Sequence, residues 1–457
     1  MKEEHFESLY PEDARFYEIN KLLGYVREGY SCQLLGLPGV GRSDLLDLIA
    51  YNQHVRDKHL GSAQQNMLFV VVDFSEIRKR PLFDVMKFLF LSLADSLREQ
   101  GMAEEYKAVN DSFREALSFH DELVLFQELK QVVDFLALEK KLTLVFLFSR
   151  FEDYIPSVTN EFFANLRTLR NRAKYRFSVI FSVHRPLEVL LDPMLLSDFY
   201  EFVAGRLVYM QFYDEPTTNF WISYLGNLTG KTFSKEVREE MLRLTGGYGR
   251  LTKLAIEALL GSDLRFQELD SRLRGNDKEE GGSVEELLLA QKPIQVALTK
   301  IWLEFTPAEQ SDILHNVFED PLVDKYLEDC GLVKEKTLQI PLFASFVKAA
   351  QAVVHAEAEK ITYDENTNTI RKGKLVLSDN LTSSEFRLLK YLWQNQERVV
   401  ERDEIISIVW SNVKSRAGIT DQAVDQLIFR LRRKIEEDPN KPLYLQTVKG
   451  RGFRFVS

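Results

Sequence analysis

Four short apolar runs, CQLLG, MLFVVVDF, LTLVFLF and FSVIFSV, recur between Ser31 and Gly205, separated by stretches with helical spacing. Each run is about as long as a strand buried on both faces, and each intervening stretch is long enough for a crossover helix. That pattern predicts a parallel α/β sheet, preceded by an amphipathic helix carrying Phe16, Ile19, Leu22, Leu23 and Val26. From Pro216 to Leu260 the pattern turns helical, interrupted by Gly246-Gly247 in LTGGYGRLTKLA.

At roughly 100–200 residues per domain, 457 residues imply three or four domains. The boundaries read as an α/β domain over 1–205, a helical appendage over 206–262, a linker over 263–283, a second helical unit over 284–350 and a terminal domain over 351–457. Asp270 to Ser283, DSRLRGNDKEEGGS, is polar and Gly-rich, as a mobile linker or hinge would be. DSRLRGND also resembles the translation of interspersed bacterial repeats. Gly331 to Ile340 reads as a short hairpin closing the second helical unit.

The net charge of −10 argues against a chain that coats nucleic acid over its whole surface. The average conceals a split: from Lys360 to Ser457, 18 Lys and Arg face 13 Asp and Glu, a balance of +5 that leaves −15 to the rest. Cys32 and Cys330 lie far apart without metal-ligand spacing, and read as buried apolar residues in a reducing cytoplasm. The charged start and the lack of any apolar run near the ~20 residues of a bilayer span predict a cytoplasmic protein without a membrane segment. Seven scattered His, with no HExxH and no GxSxG, give no case for metal hydrolysis or a serine nucleophile.

GLPGVGRS, Gly36 to Ser43, follows an apolar strand and opens the helix SDLLDLIA, the context of a phosphate-binding loop. Gly36, Gly39 and Gly41 let backbone N–H groups curl around phosphates, and Ser43 stands at the hydroxyl position. Arg42 replaces the lysine that neutralises the β- and γ-phosphates, and its planar guanidinium is bulkier and differently directed. The expected magnesium-holding carboxylate is displaced as well: LTLVFLF ends in Ser149-Arg150, with Glu152 and Asp153 beyond, while Asp73 ends an earlier strand. Two readings follow, a site that binds ATP or ADP with poor provision for magnesium and turnover, or a glycine turn kept to pack strand against helix. His184 at a strand end and Arg250 beside the Gly-Gly turn are further polar candidates. Each also has a plain structural reading, as a satisfied strand-end residue and as a surface ion pair.

Near the carboxy terminus, Thr382 and Glu385 form a capping box that starts a helix with Phe386, Leu389, Leu392 and Trp393 inward. A second helix holds Ile405, Ile406, Val409 and Trp410. A third, Asp421 to Glu437, aligns Val424, Leu427, Ile428, Leu431 and Ile435, and LYLQTV, KGRG and FRFV close the chain as a hairpin. Three helices and a two-stranded wing make a winged helix-turn-helix. Opposite its apolar stripe the third helix presents Gln422, Gln426, Phe429, Arg430 and Arg433, residue types suited to base edges in a major groove. Lys449 and Arg451 sit on the wing tip, placed for the backbone or an adjacent minor groove.

Two resemblances follow from these segments. LTSSEFRLLKYLWQNQERVVERDEIISIVW, TDQAVDQLIFRLRRKIEEDP and YLQTVKGRGFRFV, in that order, closely resemble the effector domain of OmpR/PhoB-type transcriptional regulators. The resemblance implies double-stranded DNA as partner, with Gln422 to Arg433 in the major groove and Arg451 near the minor groove. Phe429 departs from the polar or basic residue of many relatives, so base preference does not transfer; its ring either contacts a thymine methyl or packs on the protein. Residues 10–350 resemble the STAND class of P-loop NTPases: an AAA-like core, a lid with a Gly-Gly turn, and a winged-helix-like unit similar to IWLEFTPAEQSDILHNVF and YLEDCGLVKEKTLQIPLFASFVK. That class carries an Asp-Glu pair where this chain has Ser149-Arg150, which removes equipment for hydrolysis.

The expectation is therefore a DNA-binding transcriptional regulator whose NTPase-like body senses a ligand or partner, or mediates self-association. The alternatives are a slow ATP-hydrolysing switch and a non-catalytic scaffold subunit, for example of a defence complex.

Overall fold

The structure, a computed structural model, describes residues 5–230, 233–260, 283–318, 321–349, 360–373, 375–410, 421–436, 439 and 442–456. The linker expected at Asp270 to Ser283 lies outside them except for Ser283, which caps the helix Val284–Leu289. The chain divides into two units, Met1–Phe346 and Val347–Ser457.

In the first unit all four apolar runs become strands, β1 (Cys32–Leu35), β2 (Met67–Asp73), β3 (Thr143–Ser149) and β4 (Phe177–Val183). A fifth, β5 (Leu207–Tyr209), completes a parallel sheet of order β2-β3-β4-β1-β5. Every residue of β4 is buried, as expected of a strand covered on both faces. Rings of Phe74, Phe148, Phe151, Phe162 and Phe181 meet edge-on, tilted or stacked against one face. The helix Phe16–Arg27 buries Ile19, Leu22, Leu23 and Val26. Phe16 does not join them: it is 47% exposed at the first helical position, before the inward stripe begins.

Three helices, Glu215–Thr229, Lys235–Thr245 and Gly249–Leu260, form the appendage. Gly246 ends the second in a left-handed conformation (φ 61°), where any Cβ would overlap the Gln339 carbonyl oxygen. Beyond it lie four more helices, between Val284 and Asp329, and the expected hairpin, β6 (Val333–Lys334) with β7 (Thr337–Leu338). Cys32 and Cys330 are buried free thiols.

The second unit opens with three antiparallel strands, β8 (Ile361–Asp364), β9 (Thr369–Lys372) and β10 (Leu375–Val376). The helices Ser383–Gln394, Arg402–Val409 and Asp421–Ile435 follow. β11 (Val399–Val400) pairs with β13 (Gly452–Phe455), which pairs with β12 (Leu445–Val448) to make the wing. The capping box forms as expected, with the Glu385 N–H donating to Thr382 Oγ1 and the Thr382 N–H to Glu385 Oε2. Val424, Leu427, Ile428, Leu431 and Ile435 all enter one core with Leu389, Leu392, Ile405 and Phe453. The core lies between the helices and the wing. No described helix is long and apolar enough to cross a membrane.

Candidate functional site

The first unit gathers the loop residues around a cavity of about 520 Å³, within the range of small-molecule sites. Gly39, Gly41, Arg42 and Ser43 line it together with Arg150, Glu152, Trp221, Arg250 and Lys253. Gly36 stands just outside; a side chain there would strike Val40 and Met210. Gly39 (φ 92°) and Gly41 (φ 108°) take backbone conformations that L side chains avoid, so the turn needs its glycines. The appendage holds the loop from the other side. Tyr248 is fully buried and donates its hydroxyl to the Pro38 carbonyl, and the Arg250 N–H donates to the Gly39 carbonyl at 2.9 Å.

Charge in this cavity is arranged differently from the lysine-and-carboxylate pattern. Arg42 is only 8% exposed and donates both terminal nitrogens to Glu152, at 2.5 and 3.4 Å. The Ser43 and Ser149 hydroxyls pair at 2.9 Å, Arg150 holds Asp73 through Nε at 2.9 Å and a second nitrogen, and Arg78 holds Asp153 at 2.6 Å. Glu152, Asp73 and Asp153 are thus engaged by guanidiniums and the loop hydroxyl by another hydroxyl, whereas Asp44, which also lines the cavity, pairs with no guanidinium among the described residues. The described residues contain no group of three or more His, Cys, Asp or Glu placed to hold a metal. Asp47, one turn along the loop helix, is pushed up to about 7 by burial, then by Glu7 and Asp44. Arg250 has no ion-pair partner among the described residues, and Lys253 stacks its ammonium 4.4 Å from the Trp221 ring.

His184 lies at the end of β4 with Nε2 3.6 Å from Glu304, and burial holds its imidazole below the usual value. Its neighbour Arg185 makes a two-pronged ion pair with Glu309 (2.7 and 3.0 Å) and stacks on Tyr326, whose hydroxyl donates to the His184 carbonyl. This knot fastens the strand end to the helices after Thr306. No local pattern in the sequence signals it.

In the second unit the helix Asp421–Ile435 turns Gln426, Phe429, Arg430 and Arg433 outward, all exposed; Gln422 lies on the same helix, its side chain outside the described residues. Lys449 and Arg451 are exposed on the turn between β12 and β13. Among the described residues Arg430, Arg433, Lys449 and Arg451 have no side-chain hydrogen-bond or ion-pair partner. The other cations of the RLRRK run are engaged. Arg432 donates to the Leu445 carbonyl and to Thr447 Oγ1 of the wing, and Lys434 donates to the Asn380 carbonyl and Glu385. Glu436, 8% exposed, accepts the N–H groups of Leu443, Tyr444 and Leu445. Sequence reasoning did not single out Arg432, Lys434 or Glu436, because their partners come from other elements.

The first unit is a parallel α/β body with a glycine loop of phosphate-loop form, and the second is a winged helix similar to the DNA-binding domains of OmpR/PhoB-type regulators. The family described as transcriptional regulatory protein, C terminal, matches residues 379–455. Over 74 residues the chain is 43% identical to the alkaline phosphatase synthesis transcriptional regulatory protein PhoP of Bacillus subtilis, covering 16% of this chain and 30% of that protein. It is also 43% identical over 74 residues to the sensory transduction protein RegX3 of Mycolicibacterium smegmatis, covering 16% and 31%. The chain therefore spans about a third of the length of these curated relatives. Among solved structures, the Klebsiella pneumoniae RstA DNA-binding domain in complex with the RstA box is 24% identical, with 21% of this chain and 90% of that one covered and a TM-score of 0.19. The Walker-type ATPase PabY2304 of Pyrococcus abyssi is 15% identical, with 73% and 95% covered and a TM-score of 0.42.

Proposed function

We propose that the terminal winged helix docks on duplex DNA as the reader of a transcriptional regulator, with the P-loop body setting by occupancy whether it does so. The observation that carries the reading is the division of cations on one helix and its wing. Arg432 and Lys434 are engaged inside the domain, whereas Arg430, Arg433, Lys449 and Arg451 face outward with no partner among the described residues. Unpartnered cations beside an exposed Gln426 suit phosphates and base edges together. A single winged helix is a small reader, so pairing of copies or a partner protein would raise its affinity. The test is fluorescence anisotropy of the full chain on duplexes enriched from a random pool, across a salt series. Salt-dependent binding that survives replacement of all four cations would refute the reading.

For the body, the cavity with Arg250, which has no ion-pair partner among the described residues, and with Lys253 stacked on Trp221 supports an anionic ligand such as ATP or ADP, held without magnesium and without brisk turnover. Calorimetry in EDTA and in magnesium should then give similar nucleotide affinities. Magnesium-dependent phosphate release abolished by Gly41→Ala would instead favour the slow-switch alternative. A full chain that binds duplex no better than an acidic control protein would favour a scaffold.

A further inference from the structure

Phe429 is the residue of the outward helix face that a purely electrostatic interface does not explain. Positions 422, 426, 429 and 433 follow one another at offsets of four, three and four, so they form one ridge along the helix Asp421–Ile435. At a rise of about 1.5 Å per residue the ridge runs about 16 Å, with Phe429 about 5 Å from Gln426 and about 6 Å from Arg433 along the axis. The ring is 50% exposed. It stands outside the hydrophobic core of the unit and makes no ring pairing or cation stacking among the described residues. Among the described residues, then, half of the ring stays open to a partner.

An apolar ring between an unpartnered glutamine and an unpartnered arginine needs a partner that is anionic at its edges and apolar at one point. The major groove of duplex DNA has that composition, with phosphates on both rims and, among base edges, the 5-methyl group of thymine as its apolar feature. We infer that Phe429 reads a thymine by its 5-methyl group, and so fixes one position of the recognised sequence. Gln426 and Arg433, one turn to either side, lie in reach of the flanking base pairs or phosphates. The inference rests on the DNA-reading function proposed above and adds to it a base identity.

The experiment uses the full chain and a duplex enriched from a random pool. Each thymine of the bound site is replaced singly by deoxyuridine, which lacks only the methyl group. Removing the contacted methyl should weaken binding about fourfold, the worth of burying one such group. One position, or two adjacent ones, should respond, and Phe429→Ala should bind the parent duplex about as weakly and lose the distinction between thymine and uracil there. Phe429→Leu, which keeps an apolar side chain, should retain part of it. If every deoxyuridine duplex binds the unaltered chain within twofold of its parent while enrichment and salt dependence persist, the thymine reading falls and the DNA-reading function stands. If no duplex is enriched at all, the function itself has failed. If Phe429→Ala leaves duplex affinity intact but changes the oligomeric state, the ring belongs to a protein contact and the inference is overturned.

Discussion

Replacing Lys449 and Arg451 together by alanine should make DNA binding less salt-dependent without unfolding the wing. Both side chains are exposed and have no hydrogen-bond or ion-pair partner among the described residues, and the turn is held by Gly450 at φ 72°, so the change removes two charges and none of the described side-chain bonds. Each phosphate neutralised contributes about 0.9 to the slope of log affinity against log salt, so the double variant should lose about 1.8. Between about 50 and about 200 mM salt, one contact is worth roughly 3.5-fold and two roughly 12-fold. The control is Arg432→Ala. Its guanidinium is turned into the wing, donating to Leu445 O at 2.7 and 2.9 Å and to Thr447 Oγ1 at 2.8 Å, and burial holds its pKa below the ordinary value. Losing it should loosen the wing and leave the slope within about half a unit of the parent. Anisotropy titrations of the full chain over a salt series, with hydrogen exchange at the wing amides, measure both effects. An unchanged slope in the double variant would refute the reasoning. So would an equal loss of slope in Arg432→Ala with amide protection intact.

Glu436→Ala should strand the buried N–H donors of Tyr444 and Leu445 and the partly buried one of Leu443, at a cost of about 2–4 kcal/mol, and speed exchange at the Tyr444 and Leu445 amides about 30-fold or more. Glu436→Gln, which keeps one acceptor, should lose less. Gly452→Ala should unpair β11 from β13, because the residue sits at φ 134° and any Cβ would overlap the Val400 carbonyl oxygen; a loss of about 2 kcal/mol or more by thermal melting is expected. Glu385 is pushed up by burial, but hydrogen bonds from Lys434 and from the Thr382 N–H outweigh that and hold its carboxyl below the ordinary 4.5. A carboxyl lowered in the folded state stabilises above its unfolded value and loses that contribution as pH falls through the folded one. The second unit should therefore weaken below about pH 4.5, and Glu385→Gln should flatten a melting profile across that window.

What the chain shows by itself, and what it does not, divides at the same physical line in both units. β2, β3 and β4 were legible as apolar runs and the helix Asp421–Ile435 as a 3.6-residue stripe, because burial of one face or both is written into the local pattern. β5 and β11, at three and two residues, are too short to carry a period and exist because β1 and β13 pair with them. Charge follows the same rule. Helical phase turns Arg433 outward, but nothing in RLRRK says that Arg432 is engaged by a carbonyl 13 residues away or Lys434 by a carboxylate 49 residues away. Likewise GLPGVGRS shows that Arg42 stands at the phosphate lysine position, and not that Glu152, 110 residues on, already neutralises it. A motif thus fixes where a charged side chain starts, while the tertiary structure fixes whether its charge is still available to a ligand. For this chain that difference leaves, among the described residues, two arginines of a five-residue run without a partner, and gives the phosphate-loop cavity cations without a carboxylate partner, Arg250 and Lys253, from the appendage instead.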